Sequence, residues 1–137
     1  MPSDLVSTSA PDTDFTAKLV DLAPGGEARE ITDGILRLRY RNGLEKPVFA
    51  RPGETYRITI DAGVAAHMFR KGHRIRLEIS SSNFPRFDRN LNTGGNNYDE
   101  SKGIVAHNAV HHSKQYPSSL TVTVVKRPAS TPSPAGR

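Results

Sequence analysis

Apolar and polar residues alternate along much of the chain, most clearly between residues 74 and 79. Ile75, Leu77 and Ile79 fall on one face of a strand there, because successive strand side chains point to opposite faces. Burying three such side chains contributes about 5–9 kcal/mol, which is comparable with the net stability of a small domain. We therefore expect this strand to lie in the middle of a sheet.

The same alternation predicts further short strands, separated by turn signals such as Pro24-Gly25-Gly26. They cover residues 5–9, 15–20, 28–32, 36–41, 56–60, 104–112 and 120–124. Asp33-Gly34 is expected to break or bend the chain, and residues 62–69 fit either a short helical turn or an irregular crossover. About eight strands without a convincing helical pattern predict an all-β sandwich or barrel.

A long polar segment follows the clearest strand, which must have ended by Pro85 because proline cannot donate to a strand ladder. The segment is dense in Asn, Arg and Asp, yet it contains Phe84 and Phe87. We expect an ordered loop that is held by these aromatic side chains. Its polar residues, Asn83, Asp88, Asn90 and Asn92, are expected to bond nearby backbone groups.

The strand and loop together also carry a family resemblance. Ser-Ser-Ser-Asn-Phe-Pro-Arg-Phe-Asp-Arg-Asn at residues 80–90 follows Gly-His-Arg-Ile-Arg-Leu-Glu-Ile at residues 72–79. With the segments at residues 10–21, 32–41 and 108–120, it resembles the C-terminal domain of the X-Pro dipeptidyl-peptidase and cocaine esterase family of serine hydrolases. The resemblance covers residues 5–126.

The resemblance implies a jelly-roll β-sandwich of the galactose-binding-like kind. It also implies an accessory, non-catalytic role, in which the domain packs on an α/β-hydrolase catalytic domain in cis or in trans, helps to frame its pocket and contributes to oligomer contacts. The activity that it implies for the parent enzyme is hydrolysis of a peptide or ester acyl bond, as in dipeptidyl-peptidases.

Family members have further strands ahead of the segment that corresponds to residues 10–14. We therefore expect a domain at residues 1–126 that lacks its leading strands, followed by a disordered, basic Pro/Ser-rich tail at residues 127–137. Exposed apolar surface and an unpaired strand edge would then make the chain self-associate or fold only marginally.

The sequence offers no catalytic centre. It has no G-x-S-x-G nucleophile elbow, so we expect no catalytic residue, and Ser80, Ser81 and Ser82 are interpreted as the end of a strand. A chance triad of one of these serines with Asp88 and a histidine is disfavoured.

The histidines predict no metal or cofactor site. His111 and His112 point to opposite faces of a strand, and His107 and His111 would lie about 13 Å apart. His67 and His73 have no partner that the sequence identifies, so ordinary hydrogen-bonded histidines are the simpler interpretation.

The candidate functional site is the motif loop itself, which consists of Asn83, Phe84, Pro85, Arg86, Phe87, Asp88, Arg89 and Asn90. Two roles remain open: a self-satisfied polar cluster that holds the loop still, or a surface that docks on the catalytic domain. Arg86 and Arg89 are expected to pair with Asp88 or with a carboxylate elsewhere. Replacing Arg89 with alanine should cost a few kcal/mol if that partner is buried.

The charge does not favour a nucleic-acid partner. The net charge is +5, but Lys126, Arg127 and Arg137 lie in the tail, and removing them leaves 16 basic against 14 acidic residues. The row of Arg37, Arg39 and Arg41 could form a phosphate-binding face. The favoured interpretation is a solvated or domain-facing sheet surface that is salt-bridged to acids such as Glu78.

The composition indicates a cytoplasmic protein that does not enter a membrane. There is no cysteine, no apolar run near the ~20 residues of a membrane span, and no basic-then-apolar signal at the N-terminus.

Two other functions remain as alternatives. One is a free-standing carbohydrate- or protein-binding module, although glycan sites often use Trp, and this chain has no Trp, 4 Tyr and 5 Phe. The other is a self-sufficient esterase, which the missing elbow disfavours.

Overall fold

The structure is a computed structural model and describes residues 1–125. Its elements are β1 (Pro2–Thr8), β2 (Asp14–Leu22), β3 (Ala28–Arg37), a 3-10 turn (Leu38–Tyr40), β4 (Thr55–Thr59), β5 (Arg74–Ser80), β6 (Asn108–His111) and β7 (Ser119–Leu120). The disorder expected for residues 127–137 falls outside the described residues. Within residues 1–125, no helix has the length and apolar character that crossing a bilayer requires.

The strands form two antiparallel sheets. In one sheet the order is β4–β1–β6, with β7 pairing the beginning of β1, and in the other it is β3–β2–β5. The buried core is made of apolar side chains from both sheets and their connections: Val6, Phe15, Ala17, Leu38, Ala50, Ile58 and Ile60. The predicted all-β sandwich is confirmed.

β2, not β5, is the central strand of its sheet, so the position expected for residues 74–80 was wrong. β2 bonds to a neighbour on each side, and both of its faces are buried, since Phe15 and Thr16 are each 1% exposed. β5 pairs only with β2 among the described strands, and Ile75 is 54% exposed. Alternation indicates that one face is buried, but it carries no information about a strand's place in the sheet.

Gly34 lets the backbone at Asp61 pass close to β3 on its way between the sheets. It does not break β3, as the sequence had suggested it could. A Cβ at this position would lie 2.1 Å from the backbone oxygen of Asp61, so only glycine permits the approach. The hydroxyl of Thr32 donates to the backbone oxygen of Ala62 beside it. The strand ends instead at Arg37, where the 3-10 turn begins.

Residues 61–73 then cross the core-facing side of the β3–β2–β5 sheet without regular structure. Of the short helical turn and the irregular crossover that the sequence allowed for residues 62–69, the structure therefore shows the crossover. Within residues 1–125, one end of the sandwich stays accessible beside this crossover. A cleft of about 300 Å³ lies there between Leu19 and Leu77 of the sheet, residues 62–65 of the crossover, and residues 120–123.

The last two strands are shorter than the sequence predicted. β6 and β7 cover only the parts given above, and Val122 and Val124 are 49% and 76% exposed beyond the end of β7. Beyond Leu120, the alternation therefore does not correspond to a strand in the described structure.

Candidate functional site

The motif loop leaves the end of β5 and returns across the ends of β2 and β3. Ser80 closes β5, and its hydroxyl bonds the hydroxyl of Thr16 at 2.8 Å and donates to the backbone oxygen of Ser82, so this serine ends the strand as interpreted. A turn follows in which the Phe87 N–H donates to the Asn83 oxygen, and the peptide bond before Pro85 is cis.

Beneath the loop lie two carboxylates that solvent does not reach. Asp12 and Asp14, which flank the beginning of β2, are 0% and 1% exposed. Each is bound by an arginine from the end of β3 and its following turn. Arg37 donates from Nε and Nη2 to the two oxygens of Asp14 at 2.9 and 3.1 Å. Arg39 donates from its backbone N–H and from Nε to the two oxygens of Asp12 at 2.9 and 2.8 Å.

These contacts confirm that the arginine row pairs with acids, but the partners are the buried Asp12 and Asp14 and not Glu78, which pairs with Arg76. Arg37 and Arg39 are turned onto buried acids, and the hydrogen bonds with Asp14 hold the pKa of Arg37 above its ordinary value. Arg41 lies over the Tyr56 ring at 4.3 Å. The alternation in residues 36–41 therefore reflects buried ion pairing as well as burial of apolar side chains.

Asn90 joins the two carboxylates. Its Nδ2 donates to Asp12 Oδ2 at 2.7 Å and to Asp14 Oδ1 at 2.8 Å, while its Oδ1 accepts from the backbone N–H of Asn92 at 2.9 Å. A neutral amide thus provides two donors to two anions, and this arrangement satisfies acceptors that would be costly to leave buried and unpaired.

Asp33 of β3 holds the beginning of the loop. It accepts from Asn83 Nδ2 at 2.7 Å and from Arg86 Nε at 3.0 Å, and its side chain is 5% exposed. The expectation of a carboxylate partner elsewhere in the chain is therefore confirmed for Arg86.

Asp88 lies on the solvent side of the Arg37–Asp14 pair. It accepts from Arg37 at 3.3 Å and from Asn97 at 3.2 Å. Partial burial opposes ionisation of Asp88, but the hydrogen bond from Asn97 and the charge of Arg37 outweigh it, so its pKa lies below the ordinary value.

Arg89 behaves differently from the other arginines of this region. Its guanidinium lies 4.7 Å from the centroid of the Phe84 ring, which is 59% exposed. Within residues 1–125 it makes no ion pair with a carboxylate. The expectation that Arg89 pairs with Asp88 or another acid was wrong, and the condition for a large cost of Arg89→Ala, a buried partner, is not met.

Two histidines that the sequence left without partners share one carboxylate. His67 Nε2 and His73 Nδ1 each lie 2.8 Å from an oxygen of Asp21, which is 7% exposed. The hydrogen bond from His67 is the main reason that the pKa of Asp21 is lowered. No local pattern could reveal this cluster, because 46 and 52 residues separate its members.

The remaining histidines lie at the first sheet. His111 Nε2 bonds the Ser7 hydroxyl at 3.0 Å, whereas the side chains of His107 and His112 are exposed. Among residues 1–125, no group of three or more His, Cys, Asp or Glu side chains is arranged to hold a metal ion.

The fold and the loop agree with a known family. The model of the X-Pro dipeptidyl-peptidase C-terminal non-catalytic domain matches residues 5–121 of the chain. The chain belongs to this family. Cocaine esterase from Rhodococcus sp. (strain MB1 Bresler) is 46% identical over 124 residues, which are 89% of this chain and 22% of the esterase.

Two solved structures contain a domain similar to this non-catalytic domain. An α-amino acid ester hydrolase matches with a TM-score of 0.76 at 30% identity, over 85% of this chain and 21% of the hydrolase. An aminopeptidase from a marine sediment Thaumarchaeota archaeon matches with a TM-score of 0.72 at 30% identity, over 85% of this chain and 22% of the aminopeptidase. The chain therefore spans about a fifth of the length of these relatives, in each of which the non-catalytic domain is a small part of a larger chain.

Proposed function

We propose that the chain is the accessory C-terminal domain of a serine hydrolase of the X-Pro dipeptidyl-peptidase and cocaine esterase type, and that it packs on an α/β-hydrolase catalytic domain in cis. Relatives named as an esterase, an ester hydrolase and an aminopeptidase, each about four times as long, support this partner. The reaction of the whole enzyme would be hydrolysis of a peptide or ester acyl bond.

The open end of the sandwich is the observation that carries the proposal. Leu19 and Leu77 line a cleft that also borders Leu120 of β7. Val64 of its lining is 103% exposed, and Met68, further along the crossover, is 70% exposed. Apolar surface of this kind indicates a partner of matching shape, and the catalytic domain of a longer chain is the occupant that the relatives suggest.

For the motif loop we propose the structural role. Asn83, Arg86, Asp88 and Asn90 use their polar groups on the protein itself. The loop thus stabilises the end of the sandwich that lies opposite the proposed docking surface. It leaves few polar groups free to bind a second protein.

A domain exchange tests the docking. We would replace the C-terminal 124-residue segment of cocaine esterase that this chain matches with residues 1–125 and assay ester hydrolysis and thermal stability. We expect an active chimera, and we expect Val64→Asp, a substitution in the cleft lining, to lower its melting temperature. Tyr98→Asp is the matched control, because Tyr98 is 87% exposed outside the cleft lining.

The proposal fails if the chimera folds but shows no esterase activity, or if cocaine esterase without the segment is as stable and active as the complete enzyme. Equal effects of Val64→Asp and Tyr98→Asp would leave the domain assignment intact but would reject the open end as its contact surface.

We also propose that the isolated chain self-associates through the edge of β5. This strand pairs only with β2 among the described strands and exposes Ile75, and such edges recruit further strands. Sedimentation velocity over a hundredfold concentration range should show a mass that rises with concentration. A sharp melt of a monomer, independent of concentration, would refute this proposal.

A cytoplasmic location is proposed from the cysteine-free composition. Cell fractionation with an antibody against the domain would test it, and recovery of the protein outside the cytoplasm would reject it.

A further inference from the structure

A basic patch lies at one tip of the β3–β2–β5 sheet, beside the open end of the sandwich. It consists of four exposed side chains: Arg29 of β3, Arg70 and Lys71 of the crossover, and Arg74 of β5. Within residues 1–125, none of the four forms an ion pair with a carboxylate. Neighbouring acids offset the charge only in part, because Glu30 pairs with Lys18 and Glu27 is a single acid against four basic groups.

Pairing within the sheet brings two residues of the patch to the same end. Arg29 lies opposite Asp21 and Arg74 lies opposite Leu22, on the two sides of β2. Adjacent strands are about 4.8 Å apart, so the backbones of β3 and β5 are separated by about 10 Å. Both charges therefore lie at one end of the sheet.

A turn at the end of the crossover adds the other two residues. The His73 N–H donates to the backbone oxygen of Arg70 at 3.0 Å, which fixes Arg70 and Lys71 immediately before β5. Gly72 of this turn lies against the β2–β3 turn, since a Cβ at Gly72 would be 3.5 Å from Pro24 Cγ. The four basic residues thus surround the same tip.

The buried acid at this tip is not available to neutralise the patch. Asp21 is 7% exposed, and its two oxygens each lie 2.8 Å from a ring nitrogen, one of His67 and one of His73. These contacts hold the crossover on the sheet instead. The backbone that carries Arg70 and Lys71 is therefore positioned before a partner arrives, which reduces the entropy that binding costs.

Apolar surface continues from the patch into the cleft at the open end. Leu77 lines the cleft, and Ile75, two residues earlier on the same face of β5, is 54% exposed. Two residues of a strand span about 7 Å. Val64 of the cleft lining belongs to the same crossover as Arg70 and Lys71. One surface thus combines an apolar cleft with uncompensated positive charge.

We propose that the basic patch pairs with Asp or Glu side chains of the catalytic domain, on a segment that also places an apolar side chain in the cleft. This inference rests on the proposed docking at the open end and names the chemistry of the partner surface. Complementary charge of this kind determines the orientation and specificity of an interface more than its affinity. An anionic lipid surface would match the charge but would provide no shaped apolar group for the cleft.

Cross-linking in the chimera of cocaine esterase and residues 1–125 tests the pairing directly. A water-soluble carbodiimide activates a carboxyl group, and attack by the Lys71 amine forms an amide with release of the urea, so only groups in contact are joined. We expect mass spectrometry to find Lys71 linked to an Asp or Glu of the catalytic portion. Lys46, which is exposed in the connection before β4, is the control and should form no such link.

Charge reversal tests whether the pairing stabilises the docked state. Arg70→Glu should lower the melting temperature of the chimera, and the loss should shrink as NaCl rises from about 0.1 to 1 M, because the Debye length falls from about 10 to 3 Å. Arg57→Glu, at an exposed position of β4, is the control and should leave the melting temperature unchanged. Arg70→Glu should also leave the melting temperature of the free 137-residue chain unchanged.

The inference is overturned if Lys71 links to no residue of the catalytic portion, or if Arg70→Glu and Arg57→Glu affect the chimera equally. A loss of stability from Val64→Asp would then still support docking at the open end, so the two proposals fail separately; if Val64→Asp has no effect either, both fall.

Two further results would reject the pairing. An equal loss of stability from Arg70→Glu in the free chain would assign the effect to the fold of the domain. Binding of the free chain to vesicles of phosphatidylcholine and phosphatidylserine, abolished by Arg70→Glu, would assign the patch to a membrane surface.

Discussion

The Nε atom of Arg39 lies 2.8 Å from Oδ2 of Asp12, a carboxylate with no exposed surface. The same guanidinium donates from both terminal nitrogens to the backbone oxygen of Gly95 at 3.1 Å. The Arg39 side chain therefore connects Asp12, just before β2, to Gly95 in the polar segment that follows the motif loop. Because the acid is buried, loss of this partner should cost more stability than it would at a surface carboxylate.

Arg39→Gln should lower the free energy of unfolding by about 3–5 kcal/mol, since it leaves a buried charge uncompensated. Arg89→Gln is the matched control and should cost less than about 1 kcal/mol, because Arg89 is exposed and stacks on an exposed ring. Urea unfolding of the two variants measures both values. If both variants lost the same free energy of unfolding, the buried Arg39–Asp12 pair would stabilise the fold no more than an exposed arginine does.

Asn90→Asp should be among the most damaging substitutions in the loop. It places a third carboxylate within hydrogen-bonding distance of Asp12 and Asp14 and removes the two N–H donors. We expect a loss of at least about 3 kcal/mol at pH 7. The loss should shrink as pH falls towards 4, because like charges raise the pKa of the new acid and its protonated form is less costly.

Asn42→Asp is the control for Asn90→Asp, since Asn42 is exposed in the turn that follows Leu38–Tyr40. It should change stability by less than about 0.5 kcal/mol. A pH-independent loss for Asn90→Asp would point to a packing defect and would contradict the electrostatic explanation.

Asp21 makes stability depend on pH in the acid range. Its pKa is lowered, chiefly by the hydrogen bond from His67. A lowered carboxyl pKa means that its contribution is present above the unfolded value of about 3.8 and is lost as pH falls through the folded value. At pH 5 the Asp21→Asn variant should therefore have a lower melting temperature than the unaltered chain. The difference between the two melting temperatures should narrow below pH 3.8.

Thermal melts between pH 5 and pH 2.5 measure this dependence. Asp99→Asn is the control, because Asp99 is exposed and bonds only groups of its own loop. If the difference in melting temperature between Asp21→Asn and the unaltered chain stayed constant over this range, the charge of Asp21 would not be the source of its stabilising contacts with the crossover.

Asp4 and Asp88 should titrate on opposite sides of the ordinary aspartate value. Burial raises the pKa of Asp4, and the Ser118 hydroxyl offsets this only in part, whereas the pKa of Asp88 is lowered. A 13C NMR titration of the carboxyl carbons should place Asp4 above 3.8 and Asp88 below it. Ionisation of Asp4 then costs stability as pH rises above 3.8; the reverse order would be inconsistent with this structure.

Gly34→Ala should destabilise the fold by more than about 2 kcal/mol, because a Cβ would meet the Asp61 backbone at 2.1 Å and neither backbone can move without disturbing β3 or the crossover. Gly25→Ala is the control, since a Cβ there has no atom within 4 Å. Differential scanning calorimetry should show a large fall in melting temperature for Gly34→Ala alone.

The strands were predictable where one local pattern determined burial. Ile58 and Ile60, at and just after the end of β4, are 2% and 0% exposed, as alternation predicted for the inward side of that strand. The family was predictable as well, because the motif at residues 80–90 is specific and continuous. Periodicity of this kind depends on neighbours along the chain, which the sequence displays directly.

The chemistry of the loop was not predictable in the same way. Asn90 was expected to bond nearby backbone, and its Oδ1 does accept from the Asn92 N–H, but its two N–H donors reach carboxylates 78 and 76 residues earlier in the chain. Arg37 and Arg39 were expected to pair with acids such as Glu78 on a solvated or domain-facing surface, whereas their partners are buried acids 23 and 27 residues away. Only the tertiary fold brings these groups together, so no periodicity of the sequence contains them.

The pairing of β1 has a consequence for how the chain acquires its structure. Leu5 lies opposite His111, and Pro2 lies opposite Leu120, so β1 cannot pair until residues much later in the chain have been synthesised. A topology rich in such distant contacts folds slowly and keeps unpaired strands exposed during translation. The ribosome-bound chain is therefore the stage at which this domain most needs chaperone protection.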